Sequence, residues 1–265
     1  MSNDDGVYAP GLLALYQALS TIAEVIVVAP NTEQSGCASA LSITTPLHIH
    51  QLPSGFMGVN GTPADCIYLA LNELYPETDF DCVITGINSG ANLGQDVLFS
   101  GTFGAALTAQ LLGVPAIATS LAGGGIKGSE QECERHYQIA ANEIVKLLTE
   151  TSILNICKNL PYHVLNVNIP DVSDADNIKG RKITTLGHNQ IARPVHHVVD
   201  PRGRDAYWLS LRKRQDVLAD DVDAQETIIN MTDDQAVAAG YISLSPVRLH
   251  HTPVAALDKL SALVL

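Results

Sequence analysis

Cys82-Val83-Ile84-Thr85 is a short apolar run that leads into the polar loop Gly86-Ile87-Asn88-Ser89-Gly90-Ala91-Asn92-Leu93-Gly94. A helical stretch follows from Gly101 to Leu112, stopped by Gly113 and Pro115, and then a second apolar run, Ala116-Ile117-Ala118-Thr119. Short runs without polar alternation suit strands covered on both faces, and a strand–helix–strand order joins parallel strands by a right-handed crossover. The same unit repeats outward. Upstream, Pro10 opens a helix over 10–22 with Leu12, Leu15, Tyr16, Leu19 and Ile22 on one face. Val25-Ile26-Val27-Val28-Ala29 then reads as a buried strand ended by Pro30, and Thr62-Pro63 opens a helix through about Leu74. Downstream lie a helix over 130–149 and a strand from Val164 to Ile169, closed by Pro170. The expected fold is α/β: a Rossmann-like, doubly wound, mostly parallel sheet.

The pattern changes after about residue 180. Strands at 182–186, 206–211 and 241–244 without intervening helices predict antiparallel hairpins, and Thr252-Pro253 opens a terminal helix. That helix carries Val254, Leu257, Leu260, Leu263, Val264 and Leu265 at helical spacing, a stripe that something must cover. The expectation is one domain over 1–265, with an α/β core bearing the site in 1–180 and a hairpin extension with an oligomerisation helix in 181–265. A homodimer or homotetramer would cover the stripe.

Composition narrows the function. With 15 basic and 28 acidic residues the formal net charge is −13, which argues against binding a nucleic-acid duplex, where positive charge must replace condensed counterions. Hydrophobic residues make up 46% and charged residues 16%, a core-forming composition. No apolar run approaches the ~20 residues of a membrane span, and Met1-Ser2-Asn3-Asp4-Asp5-Gly6 lacks the features of a signal peptide. Five cysteines, without a C-x-x-C pair, read as free thiols in a reducing compartment. A cytoplasmic location is expected.

Open parallel sheets bind ligands at the carboxyl ends of their strands. Three polar loops fall there: Ser2-Asn3-Asp4-Asp5-Gly6, the loop from Gly86 to Gly94, and Ser100-Gly101-Thr102. Singly, each has an ordinary reading: a turn, a left-handed connection, and a helix N-cap. Together they say more. Adjacent carboxylates repel, and a divalent cation with carboxylate, amide and hydroxyl oxygen ligands offsets that cost. A helix start with free N–H groups is a ready phosphate site. Cation and phosphate cradle together point to phosphoryl chemistry.

The loops just quoted, with Gln34-Ser35-Gly36 and Gly61-Thr62-Pro63-Ala64-Asp65-Cys66, resemble the stationary-phase survival protein SurE family. The resemblance continues through Asp200-Pro201-Arg202-Gly203, Tyr207-Trp208, Thr232-Asp233 and Gly240-Tyr241-Ile242-Ser243, covering nearly the whole chain. It implies a metal-dependent phosphatase of nucleoside 5′- or 3′-monophosphates. It further implies one divalent cation per subunit, magnesium or manganese, held by Asp4, Asp5, Ser35 and Asn88. Asn92 and the turn Ser100-Gly101-Thr102 would contact phosphate, with Asp4, Asp5 and Asn92 carrying the catalysis. Ser35 rests on the resemblance alone. The sequence departs from the family in two places. Only Met1 stands where the family has an apolar strand before the Asp-Asp loop, and such a strand would lie centrally in the sheet. The native protein is therefore expected to begin a few residues upstream. Residues 211–230 fit no family pattern and receive no role.

Other signals are weaker. Gly123-Gly124-Gly125-Ile126-Lys127-Gly128 satisfies G-x-G-x-x-G, but the acidic residue a dinucleotide site needs is missing at the right distance, and Ser129 stands where a P-loop has lysine. His196-His197, on a strand, would point to opposite faces; His250-His251 lies just before the terminal helix. Two alternatives to the phosphatase stay open: a nicotinamide-dependent oxidoreductase using the Gly123–Gly128 loop, and a non-enzymatic nucleotide sensor.

Overall fold

A computed structural model of the chain describes residues 1–123, 129–188, 191–213 and 231–248. The backbone first forms α1 (Pro10–Leu19), then β1 (Val28–Pro30), β2 (Ile49–Gln51) and β3 (Met57–Val59). Next come α2 (Pro63–Leu69), β4 (Val83–Ser89), α3 (Gly101–Leu111), β5 (Ala116–Leu121), α4 (Glu130–Glu150), α5 (Ile153–Asn159) and β6 (His163–Ile169). The later elements are β7 (Arg181–Ile183), β8 (Ile191–Val199), β9 (Asp205–Lys213), α6 (Asp233–Ala238) and β10 (Ile242–Arg248).

The strand–helix–strand stretch from β4 through α3 to β5 forms as read, and β4, β5 and β6 run parallel. Their apolar residues are buried on both faces. One core joins Leu15, Ile87, Ile117, Tyr137 and Ile144 from the α1 and α4 side; a second joins Ile67, Phe103, Ala105 and Ala118 from the α2 and α3 side. This is the doubly wound, mostly parallel α/β arrangement expected. The N-cap of α2 is a capping box: the Thr62 hydroxyl accepts from the Asp65 amide, and the Asp65 carboxylate accepts from the Thr62 amide. Asp65 also accepts from the Ser42 amide at 2.8 Å, which anchors the loop after β1.

Two sheets meet at the chain's first residues. β1, β3 and β2 form one, and β4, β5, β6, β10 and β7 the other, in those orders. Between them the Met1 carbonyl accepts from the Val28 amide at 3.0 Å and the Ser2 carbonyl from the Gly86 amide at 2.9 Å. The Met1 amine donates to the Ile26 carbonyl at 2.6 Å. The slot assigned to a central strand is thus bridged on both sides by Met1 and Ser2. The ladder of β1 with β3 begins at Val28 rather than at Val25 and runs through Pro30.

Several expectations change. α1 stops at Leu19, where the amides of Thr21 and Ile22 turn back to Ala18 and Leu19, and Ile22 is exposed instead of extending the helix face. Residues 182–186 and 241–244 do not form antiparallel hairpins. β10 enters the main sheet antiparallel to β6, and β7 lies parallel to β10 at its edge. The reason is burial: Ile242 and Leu244 belong to the main core, whereas β7 is largely exposed and fits only an edge. The sheet therefore continues past residue 180. After residue 180 the antiparallel hairpin among the described strands is β8–β9; before it, β2 and β3 pair antiparallel in the smaller sheet. The terminal helix expected from Thr252, the His250-His251 pair and most of the unassigned stretch 211–230 lie outside the described residues. Among the described residues, no helix is long and apolar enough to cross a membrane.

Candidate functional site

Asp4 and Asp5 follow the bridging residues Met1 and Ser2, at the carboxyl end of the parallel strands. Asp4 is 3% exposed and Asp5 half-buried. Three neighbouring elements close on them. α3 starts directly against Asp4, because residue 101 is a glycine: a Cβ there would lie 2.8 Å from Asp4 Cβ and 2.9 Å from Cys37 Sγ. The amides of Gly101 and Thr102 bond Asp4, and Thr102 Oγ1 donates to Asp4 Oδ1. β4 contributes Asn88 and Ser89. Its register shifts between Thr85 and Asn88, where Gly86 takes φ +111° with its α-carbon packed against the Thr119 carbonyl, leaving no space for a side chain. The Ser89 amide then donates to Asp5 Oδ2 at 3.0 Å, and Asn88 Oδ1 accepts from Thr102 Oγ1 at 3.3 Å. The loop after β1 is tied in through the Gln34 amide, which donates to the Asp4 carbonyl at 2.7 Å.

The electrostatics follow from this packing. Burial pushes the Asp4 carboxyl up, opposed by Thr102 and the α3 amides. Burial, then the Asp4 charge, then Glu33 push Asp5 up to about 6, against the pull of the Ser89 amide. No basic side chain contributes to either aspartate among the described residues. Cys37 is pushed up to about 11 by burial and by Asp4, so its thiol stays protonated and unreactive at neutral pH.

The sequence-selected residues do not all face alike. Asp4, Asn88 and Thr102 meet through the Thr102 hydroxyl, with Asp5 alongside. Ser35 donates to Glu33 Oε1 at 2.9 Å. Ser100 is the N-cap of α3, its hydroxyl accepting from the Phe103 amide at 3.0 Å, the ordinary reading of that residue. Asn92 is buried and gives its side-chain amide to Ser120 Oγ at 2.9 Å. Its backbone is gripped by two asparagines of β6: the Asn92 amide donates to Asn168 Oδ1, and its carbonyl accepts from Asn166 Nδ2 and Asn168 Nδ2. Neither asparagine was singled out in the sequence, although two at alternate positions of an apolar strand are a readable signal. Of the Gly123–Gly128 loop, only Gly123 is described. Among the described residues, no group of three or more His, Cys, Asp or Glu is placed to hold a metal. The donors here are instead two carboxylates joined by amide and hydroxyl oxygens.

Fold and site together define an α/β protein of the Rossmann-like type, with paired carboxylates set against a helix N-terminus at the carboxyl edge of its sheet. Residues 1–193 match the family described as Survival protein SurE. A 5′-nucleotidase SurE of Psychrobacter cryohalolentis is 84% identical over 265 residues, spanning 100% of this chain and 98% of the relative. One of Acinetobacter baylyi is 41% identical with the same coverage. The crystal structure of a SurE protein from Aquifex aeolicus matches with a TM-score of 0.77 at 33% identity, covering 100% of this chain and 98% of that one. The chain belongs to the SurE family.

Proposed function

We propose that this chain hydrolyses nucleoside 5′- or 3′-monophosphates to nucleoside and phosphate, using one divalent cation, magnesium or manganese, per subunit. The broader statement follows from family membership at 84% identity to a named 5′-nucleotidase: the chain is a hydrolase, a phosphatase acting on nucleotides. The observation that supports the finer reading is the adjacent Asp4–Asp5 pair, raised in pKa and without a basic partner among the described residues, with Asp4 bonded to the start of α3 and Asp5 to the Ser89 amide. The set of Asp4, Asp5, Asn88 and, from the neighbouring loop, Ser35 offers the hard oxygen donors that magnesium and manganese prefer. When bound, such a cation polarises a phosphate oxygen and lowers the pKa of a water ligand.

The chain's own residues supply the rest. Asp4 and Asp5 hold negative charge in a partly dry pocket, and Thr102 fixes Asp4 against Asn88. The Gly101 and Thr102 amides, bonded to Asp4, are the donors that would turn to a phosphate oxygen, and Asn92 Nδ2 keeps a second N–H beyond its bond to Ser120 Oγ. With its hydroxyl committed to the cap, Ser100 shapes the turn more than it binds. Phosphate release from a panel of nucleoside monophosphates, with magnesium, manganese or a chelator, tests the reading. Turnover with metal and none with chelator supports it; equal turnover in both sinks the metal assignment, and absence of turnover on every nucleotide sinks the substrate assignment.

The partner proposed is a second copy of the chain, as homodimer or homotetramer. The β8–β9 hairpin supports this, since Tyr207, Trp208 and Leu209 are 63%, 70% and 83% exposed along one strand. An assembly region after residue 180, carried by the β8–β9 hairpin while β7 and β10 complete the core sheet, and a cytoplasmic location inferred from the free thiols, belong to the same proposal.

A further inference from the structure

Asp233 lies far from the carboxylate pair in sequence and carries no role in the reading above. Its side chain is 0% exposed, and every partner it has among the described residues is a main-chain amide. Oδ2 accepts from the Gly94 amide at 2.8 Å; Oδ1 accepts from the Gly187 amide at 2.8 Å and from its own neighbour Asp234 at 2.9 Å. Its own amide donates to the Thr185 carbonyl at 2.9 Å. A carboxylate buried without a cation is costly unless its lone pairs are filled, and three amides fill them here.

Gly94 is where this matters. It sits two residues after Asn92 and opens the short turn of 3₁₀ helix, Gly94–Leu98, that delivers the chain to Ser100 and the start of α3. At φ +56°, with its α-carbon packed against the Gly187 carbonyl, it has no space for a side chain. The segment is therefore held from two directions. Asn166, Asn168 and Ser120 grip Asn92 from the sheet, and Asp233 grips Gly94 from the far side.

We propose that Asp233 is a positioning residue for the phosphate-contacting segment, holding Gly94 so that Asn92 and the Gly101–Thr102 amides stand together. The inference rests on the phosphatase reading for its functional consequence and on hydrogen-bond geometry for its substance. Asp233→Asn tests it with little change of shape. An amide oxygen can still serve Gly187 and Asp234, but its NH2 then faces the Gly94 amide, donor against donor.

The experiment compares wild type and D233N in three measurements. Hydrogen exchange should rise in a peptide covering residues 92–98 and stay unchanged in one covering β5. The KM for a nucleoside monophosphate and the Kd for inorganic phosphate should each rise roughly tenfold, the loss of one charged hydrogen bond. The Kd for Mn²⁺ should stay within about twofold, because Asp4, Asp5, Ser35 and Asn88 do not touch Asp233. Unchanged exchange at 92–98, or unchanged phosphate affinity, overturns the proposal. Loss of Mn²⁺ and phosphate binding together also overturns it, because Asp233 would then support the whole fold. If D233N does not fold, Gly94→Ala strains the same segment from the other side and is read by the same measurements with the same outcomes. If wild type turns over no nucleotide, the phosphatase reading fails, while the exchange and phosphate-binding measurements still decide the role of Asp233.

Discussion

The carboxyl edge of the main sheet and the β8–β9 hairpin invert each other. At the sheet edge, polar groups are inside: Asp4 is 3% exposed, and Thr102 and Asp233 are fully buried. On the hairpin, apolar groups are outside, with Val195, Tyr207, Trp208 and Leu209 all at least half exposed. Each inversion costs free energy, and the two are handled differently. The buried polar groups are mostly compensated within the chain by amides and hydroxyls, as P-loop-like anion sites are by main-chain donors. Left open there are a few buried oxygens without a hydrogen-bond partner, Asn3 Oδ1 and Asn166 Oδ1 among them, and the repulsion of Asp4 and Asp5, which a cation would offset. The hairpin has no such internal compensation among the described residues. Its two strands pair with each other, and their aromatic side chains face solvent. In the proposed reading a small ion would complete one region and a large surface the other.

The heaviest blow to this contrast is expected at Asp4. Asp4→Asn keeps the shape and removes the charge that the cation needs, so kcat/KM should fall on the order of 10³-fold or more, as when a main electrostatic contact of a phosphoryl-transfer site is lost. Circular dichroism and melting should show an intact fold, because the sheet loses no packing. Near wild-type turnover at saturating metal would remove Asp4 from the site. On the hairpin, Trp208→Ala should weaken self-association by about 2 kcal/mol, roughly thirtyfold in the dissociation constant. Light scattering over a dilution series measures it. A wild-type monomer at micromolar concentration would break the comparison, leaving the exposed aromatics without a partner of this kind.

A smaller effect is expected where the two backbones of the site touch. Gly101→Ala places a Cβ 2.8 Å from Asp4 Cβ and 2.9 Å from Cys37 Sγ. Alanine gains up to ~1 kcal/mol over glycine in a helix, but a clash against an atom attached directly to another backbone costs ~1 to 3 kcal/mol. The clash should win, lowering Tm and activity together. A higher Tm would show that α3 can move away from Asp4, and that the burial of Asp4 is less constrained than its contacts imply.

How much of this was legible beforehand depended on whether the signal was local. β4, β5 and β6 are continuous apolar runs, and their helices carry clear starts, so the core was readable. β2 is three exposed residues and β3 three largely buried ones, both too short to mark a period. The parallel pairing of β7 with β10 depends on which strand can be buried beside β6, which no local pattern states. Asp4, Asp5, Asn88 and Thr102 announced themselves because a few adjacent residue types suggest their chemistry. Asp233 entered only as part of the Thr232-Asp233 resemblance and received no role, because its meaning lies in Gly94, 139 residues away. Asn166 and Asn168 were passed over inside a strand that otherwise reads as core.

The smallest effect sharpens the comparison most, because it measures the uncompensated term at the sheet edge directly. In the metal-free protein Asp5 is raised from 3.8 to about 6, by burial first and by Asp4 second. A carboxyl that holds its proton more tightly folded than unfolded contributes its full stability below about pH 4. It loses that contribution as the pH rises through about 6. Taken at face value the difference is about 3 kcal/mol; solvent at this half-buried side chain reduces the expectation to ~1 kcal/mol. Asp5→Asn carries no such charge. In chelator, the variant should therefore match wild type near pH 4 and melt a few degrees higher above pH 6.5. Saturating Mn²⁺ should reverse the order, because binding to wild type adds stability that the variant cannot gain. Parallel melting curves across this range, with and without metal, would show that the paired carboxylates carry no strain for a cation to relieve, and the sheet edge would then be as complete by itself as its hydrogen bonds make it look.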